Sequence, residues 1–362
     1  MTPIGRMIVM KKHKKKAGTK KNKPFSMNYA NPRMAAPDPT RKWENTSPEA
    51  QGFHSGRLLQ LFETLPERHV RSIVIVRNGF VVAEASDNEV SIEAPQLAYS
   101  LTKSILSALV GIAISEKKLH LDQKLSYWFP QLAGEAKGEI MIRHLLTMTS
   151  GLEWYDWDNS SSEQMMYSSD WIEAVLKHPV ACEPGSRFNY SNGDTHLLAV
   201  ILEMAIGLPL LEYAQTKLFK PLGISDVEWA VDPQNHHIGS WGTKLTVHDM
   251  AKMYQHGGTW NGRTIIPFQW INESLTPKTG TYSADGSLLL YGNLWWMRAL
   301  KNVPFKTYYA CGAFGQRIYV VPDLKLIVAM TAHSSDVNMP DLVLEGVIQS
   351  IMLNSGTISR IV

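Results

Sequence analysis

In the stretch AYSLTKSILSAL, Ala98 to Leu109, a serine and a lysine stand three residues apart at the head of an apolar run. If the run is a helix, Ser100 and Lys103 share one face. A hydroxyl beside an amine at that place is what an activated nucleophile requires. Burial disfavours the charged form of a lysine, so Lys103 against the apolar run could accept or relay the serine proton. The competing reading is a serine cap followed by a solvated lysine. Ser115 and Lys118 in SEKKL repeat the spacing, but they sit among charges where a helix ends and read as surface.

A second group with proton chemistry is Tyr190 in FNYSN, two residues before Asn192. A phenol beside an amine can share or pass a proton, and an asparagine amide can both donate and accept to a substrate. Tyr291 and Asn293 in LLLYGNLWW have the same spacing, yet they run into aromatics that suit a packed strand. EPGSRFNYSNG is instead a polar turn that can project side chains into a cleft. A third requirement is a sheet edge whose backbone can face a substrate carbonyl. ACGAFGQ, Ala310 to Gln316, suits it because glycines let a backbone approach a ligand closely. Lys278-Thr279-Gly280 in PKTGT is the rival segment; it follows a proline, lacks strand residues around it and precedes a polar loop.

The elements that must position these groups follow from periodicity. SGRLLQLFETLPER reads as an amphipathic helix that Ser55 could cap. SIVIVRNGFVVAEA holds two β-branched runs joined by Asn78 and Gly79, a strong hairpin signal. From Ser100 to about Leu275 the pattern is helical and loop-rich, with DTHLLAVILEMAIG and LTVHDMAKMYQHGG each running into glycine stops. Strand character returns in YGNLWWMRAL, TYYACGAFG, QRIYVVPD and LKLIVAMTA, and Asp341 to Met352 should form a last helix. Short-linked strands pair antiparallel, so the hairpin and the C-terminal strands are expected to share one sheet with the helical middle as an insertion.

The 362 residues, 44% hydrophobic and 19% charged, are those of an ordinary globular chain with ample material for a core. Charge is unevenly placed: residues 1–42 hold 12 Lys or Arg against one Asp, leaving 24 basic and 32 acidic residues in the body. This basic tail has no hydrophobic periodicity and is expected to be disordered. Its charge suits nucleic acid or an anionic membrane, though a plain solvated leader is the favoured reading. No stretch resembles a signal peptide, and SILSALVGIAI is shorter than the roughly 20 residues of a membrane-spanning helix, so a cytoplasmic location is expected. Cys182 and Cys311 are the only cysteines, which excludes a disulfide framework and leaves one bridge open.

The ordered series SLTK, IRHLLTMTSGL, PGSRFNYSN, LFKPLGI and ACGAFGQRIYVVPD resembles the serine β-lactamase-related hydrolases. That group includes class C β-lactamases, D-alanyl-D-alanine carboxypeptidases, esterases of the same fold and 6-aminohexanoate-dimer hydrolases. The resemblance runs from about Trp43 to Leu353. It implies an α/β (α+β) fold of the β-lactamase/transpeptidase type, an antiparallel sheet flanked by helices with an inserted all-helical region. One hydrolase domain over 43–354 is expected, its sheet at about 70–86 and 291–332, its helical region at about 115–280, with a tail over 355–362.

By the same resemblance Ser100 is the nucleophile, Lys103 its proton partner, Tyr190 the general acid and base, and Asn192 the substrate-orienting amide. The N–H of Ser100, at a helix start where such groups lack intrahelical partners, would pair with that of Ala313 to hold an oxyanion. Ala310, Cys311 and Gly312 would line the substrate site as the third motif. Ala310 takes the place where the β-lactamases and peptidases usually carry Lys or His, and Cys311 that of Thr or Ser. Weak recognition of penicillins follows, and the motif resembles the esterase and nylon-oligomer branch. Trp154, Tyr155 and Trp157 in EWYDWD either line the acyl pocket or pack their loop.

Other chemistries fit less well. A G-x-S-x-G elbow is absent, and His236-His237 are adjacent rather than spaced for a metal, so no metal and no cofactor is expected. The expected activity is hydrolysis of a small ester or amide through an acyl-enzyme; a β-lactamase or D-alanyl-D-alanine carboxypeptidase is the alternative, and a catalytically silent member binding peptidoglycan fragments or another protein is the further rival. Retention of Ser100, Lys103 and Tyr190 together weighs against that rival.

Overall fold

A computed structural model describes residues 43–156, 158–252, 258–260, 262–283, 286–300 and 302–351. The expectations for the basic tail 1–42, for residues 355–362 and for Trp157 fall outside those residues. Alternating β-branched residues build the hairpin read from the sequence, strands β1 (Val70–Arg77) and β2 (Phe80–Ser86). Asn78 and Gly79 turn it with φ of 52° and 89°. Both values lie in the left-handed region that a two-residue hairpin turn demands.

Six further strands complete an antiparallel sheet: β3 (Thr279–Tyr282), β4 (Leu288–Tyr291), β5 (Trp296–Leu300), β6 (Val303–Gly312), β7 (Gln316–Val321) and β8 (Leu326–Ala332). Their order is β2-β1-β8-β7-β6-β5-β4-β3. The N-terminal hairpin thus closes onto the last strand, with Ile73 opposite Met330 and Val76 opposite Ile327. Two strands arise earlier than the expected start near residue 291. One is Thr279–Tyr282, expected to be a loop; as an edge strand it needs only one partner, so a polar, glycine-containing run suffices. It lies three strands from β6, which separates Lys278-Thr279-Gly280 from the ACG segment.

Helices cover both faces of this sheet, so its central strands are apolar on both sides. On one face Ile73, Ile75, Tyr319 and Val328 pack with Leu58 and Phe62 of α1 (Ser55–Glu63) and with Val343 and Val347 of the C-terminal helix (Met339–Gln349). On the other, Val74, Val76, Ala310, Ile318 and Ala329 join the helical region through Ile105, Leu106 and Leu109 of α2 (Thr102–Ser115). The β1 side chains divide between the two cores with the period of two that a strand imposes.

Helix α2 is buried along nearly its whole length, which explains an apolar run with no polar face. Its serines are satisfied internally: Ser104 Oγ donates to the Leu294 carbonyl (2.9 Å) and Ser107 Oγ to that of Asn293 (2.7 Å). The long helix after FNYSN is α3 (Asn192–Ile206), capped by Ser191 and stopped by Gly207 at φ 70°, as the glycine signal implied. Between the helices lies a small sheet of Gln96–Leu97, Thr243–Leu245 and Glu228–Trp229, which the helical reading of that region did not include. The Ser55 cap is also corrected: His54 occupies the cap position without a side-chain bond, and Ser55 is the first helical residue, its N–H meeting Glu49 Oε1. Among the described residues no single helix is long and apolar enough to cross a membrane.

Candidate active site

Ser100 lies in a 3-10 turn, Tyr99–Leu101, that feeds directly into α2. Tyr99 enters that turn at φ 50°, a strained setting for a residue with a side chain. Its ring meets Phe314 edge-on at 5.3 Å, and Phe314 itself has φ 61°. Two strained residues therefore clasp the Ser100 turn to the end of β6. Gly312 permits the approach, since a Cβ there would stand 2.3 Å from the Ala98 carbonyl oxygen and 3.1 Å from Tyr99 Cβ. Gly312→Val is expected to push the strand end from the serine and cut turnover about 100-fold or more, the scale of an ångström-level misplacement. Steady-state kinetics on a variant whose melting curve shows a retained fold checks this.

Lys103, the second residue of α2, is only 2% exposed. Its Nζ reaches Asn192 Oδ1 at 2.7 Å, the Ser240 carbonyl at 2.9 Å and Ser100 Oγ at 3.1 Å. Burial lowers its pKa to about 7 against the pull of Asp156 and Cys311 in the other direction. The amine is thus close to half neutral at neutral pH. Once neutral it keeps two N–H groups and a lone pair. The Asn192 and Ser240 oxygens can only accept, so they claim the two N–H groups and the lone pair is left for the one hydroxyl, Ser100.

Tyr190 stands over the same amine, with Nζ 4.9 Å from the ring centroid. Its pKa is raised far above the ordinary phenol range, chiefly by burial, while a hydrogen bond with Ser100 acts in the opposite sense. The group is therefore a neutral phenol in contact with the Ser100 hydroxyl, suited to passing a proton rather than to standing as phenolate. Trp296 stacks on it at 5.9 Å, and Tyr291 packs edge-on to Trp296 at 4.6 Å. Tyr291, the rival tyrosine, is the buried strand residue it was read to be.

Asn192, expected as the substrate-orienting amide, has protein partners on both sides. Its Oδ1 accepts from Lys103 Nζ, and its Nδ2 donates to Ser162 Oγ at 2.9 Å. Its backbone N–H donates to Asp156 Oδ2 at 2.6 Å. Asp156, Ser162 and the Ser240 carbonyl were not found from the sequence. Their separation in the chain from Lys103 leaves no local pattern, and the only signal was an acid within an aromatic loop.

The remaining positions divide. Ala310 is buried in the α2-side core, so its methyl does not line an open cleft. Cys311 is partly exposed and stands opposite Arg317 on β7. Ala313 is exposed immediately after the strand end. Trp154 is corrected as a pocket residue: it is 2% exposed and fills the space left by Gly193, where a Cβ would meet its ring at 2.7 Å. Tyr155 is half exposed and donates to Glu153 Oε1. Ser115 bonds the Ile112 carbonyl and Lys118 pairs with Glu116, a surface arrangement as read. Both cysteines are free. His236 and His237 both bond Glu203, at 2.7 and 2.8 Å.

A family profile described as Beta-lactamase matches residues 58–351. The chain belongs to the beta-lactamase family. It is 29% identical to penicillin-binding protein 4* of Bacillus subtilis, across 47% of this chain and 40% of that protein. It therefore spans less than half the length of that relative. With the 6-aminohexanoate-dimer hydrolase of Paenarthrobacter ureafaciens the identity is 24%, over 77% of this chain and 76% of the other. The class C beta-lactamase of Rhodobacter sphaeroides has the same fold, with a TM-score of 0.64 at 17% identity, covering 82% of this chain and all of that one. The beta-lactamase-type architecture expected from the motifs is the one observed.

Proposed function

We propose that this beta-lactamase family protein is a serine hydrolase of small esters or amides, working through an acyl-enzyme on Ser100. The observation that carries the reading is the lone pair of Lys103, which Asn192 and Ser240 leave no partner but the Ser100 hydroxyl. As Oγ bonds to the carbonyl carbon, its proton passes to Nζ, and the developing oxyanion takes the backbone N–H groups of Ser100 and Ala313. Tyr190 protonates the leaving group as the carbonyl–leaving-group bond breaks and regains a proton from Lys103. A water then repeats the sequence in reverse roles, releasing the acid and restoring the serine. No metal or cofactor enters these steps.

With Ala310 at the position where the β-lactamases and peptidases of the resemblance usually carry Lys or His, no side-chain cation stands there to meet a substrate carboxylate, which favours neutral substrates of the esterase and 6-aminohexanoate-dimer-hydrolase kind over penicillins. The linear amide of an aminohexanoate dimer is one candidate. The test is peptide mapping after exposure to a fluorophosphonate, with short-chain p-nitrophenyl esters and a chromogenic cephalosporin assayed in parallel. A single adduct on Ser100, and a kcat/KM for the ester at least about 100-fold above that for the cephalosporin, is the expected result. An adduct elsewhere, or none on folded protein, would overturn the assignment. A preference for the cephalosporin would leave the nucleophile in place and shift the substrate reading to the β-lactamase side.

A further inference from the structure

The hydrogen bonds around Lys103 do not stop at Asn192. The Asn192 amide gives its oxygen to Nζ at 2.7 Å and its nitrogen to Ser162 Oγ at 2.9 Å. Ser162 then donates to Asp156 Oδ1, and Asp156 Oδ2 accepts the backbone N–H of Asn192 at 2.6 Å. The path closes on the residue from which it left.

We propose that Asp156 is a positioning residue for Lys103, its carboxylate fixing, through Ser162, which end of the Asn192 amide faces the amine. This rests on the reading of Lys103 as the base. The argument is one of donor direction. An amide accepts at one end only and donates at the other. For Asn192 to offer its oxygen to Lys103, its NH2 must find an acceptor, and Ser162 Oγ is that acceptor. Ser162 must then send its own proton onward, to a group that accepts. Asp156 meets this need with one oxygen while taking a backbone N–H with the other, so it has to accept at both, as an ionised carboxylate does.

Hydrogen bonds and a helix N-terminus favour that ionisation, and burial opposes it. Asn192 is the first residue of α3, where backbone N–H groups have no intrahelical acceptor and the helix dipole favours negative charge. Burial is the largest influence and leaves the Asp156 pKa above its usual value, while Ser162, the Asn192 N–H and the charge of Lys103 act to hold the ionised form. The titratable and charged groups around this cluster are Lys103 on α2, Tyr190 just before α3, Asp194 on α3, Cys311 on β6 and, beside Tyr190 and Cys311, the Arg317 guanidinium on β7. Lys103 is the one amine among them. Asp156 therefore has two effects on it, one by ordering its acceptor and one by holding a negative charge near the ammonium.

The test compares wild type with Asp156→Asn and Asp156→Glu by the Lys103 Nζ titration in 15N NMR and by the pH dependence of kcat/KM. An asparagine removes the charge and places an NH2 against a donor, so the Asn192 amide turns or the ring opens. The Lys103 midpoint is expected to fall by about one pH unit from its starting value. The acid limb of the rate profile should fall with it, and the plateau should drop about 10-fold. Asp156→Glu keeps the charge and should keep the midpoint. A structural role alone would lower the melting temperature and the plateau in Asp156→Asn while leaving the midpoint in place, and that result overturns the proposal. If Asp156→Asn does not fold, Ser162→Ala cuts the ring with both main-chain bond and charge intact. A plateau about 10-fold lower supports the ring, and a wild-type plateau overturns it. The NMR titration needs no turnover, so a shifted midpoint in a protein that hydrolyses nothing would reject the proposed hydrolase while retaining the Asp156–Lys103 linkage.

Discussion

Ser100→Ala is expected to bring ester turnover down to the uncatalysed rate, a loss of about 10,000-fold or more, the range seen when a nucleophile that acts with its base is removed. The lone pair of Lys103 then has no proton to take, and Tyr190 loses the hydroxyl it contacts. Nothing else in the site depends on that oxygen. The Lys103 bonds to Asn192 and Ser240 remain, so the melting temperature should stay within about 2 °C of wild type. Steady-state kinetics with a p-nitrophenyl ester, paired with a thermal melt, tests both halves. Ser115→Ala is the control, since Ser115 only caps a carbonyl of its own helix and should leave turnover unchanged. Full activity in Ser100→Ala would remove the site.

The second large effect concerns Lys103. If the neutral amine is the base, kcat/KM rises with pH through about 7, the value to which burial lowers the lysine, and then levels off. Tyr190 adds no alkaline limb in the ordinary range, because its phenol is held protonated well beyond the usual point. Lys103→Met should lose at least about 1,000-fold at the plateau and lose the acid limb with it. Tyr190→Phe should lose most of its activity and keep that limb. A stability effect of opposite sign accompanies the loss. The unfolded lysine titrates near its ordinary 10.5, the folded one near 7, so between those values the unfolded chain binds more protons. Stability contributed at this site therefore rises with pH across that window and is lowest below it. Lys103→Met has no such dependence, so the variant should gain in melting temperature relative to wild type when pH is lowered from 9 to 6. A relative gain on raising the pH would contradict the buried, pKa-lowered lysine.

Legibility differed by the distance over which each feature is specified. The Asn78-Gly79 hairpin and the Gly207 stop were readable because one or two residues set the local backbone. The proximity of Ser100, Lys103 and Tyr190 was readable because a spacing of three on a helix and a polar turn before another helix are short-range patterns. The proposed weakness toward penicillins likewise began with one residue type, Ala310. Reading failed where a residue's role depends on what packs over it. Trp154 in an aromatic loop looks the same whether it lines a pocket or fills the space beside Gly193. Thr279–Tyr282 looked like a loop because an edge strand carries so little apolar signal.

The sequence by itself determined the chemistry available: a serine and a lysine on one helix face, a tyrosine and an amide at the head of another, and a glycine-bearing strand end, in an order shared with the beta-lactamase family. Tertiary structure decided how those groups act. It buried Lys103, which lowers its pKa to about 7, turned the Asn192 amide toward it and brought the Ser240 carbonyl within 2.9 Å, the arrangement on which the proposed role as base rests. Asp156 and Ser162 joined the site in the same way. A pKa and a hydrogen-bond direction depend on everything within a few ångströms, and those neighbours come from segments that only folding brings together.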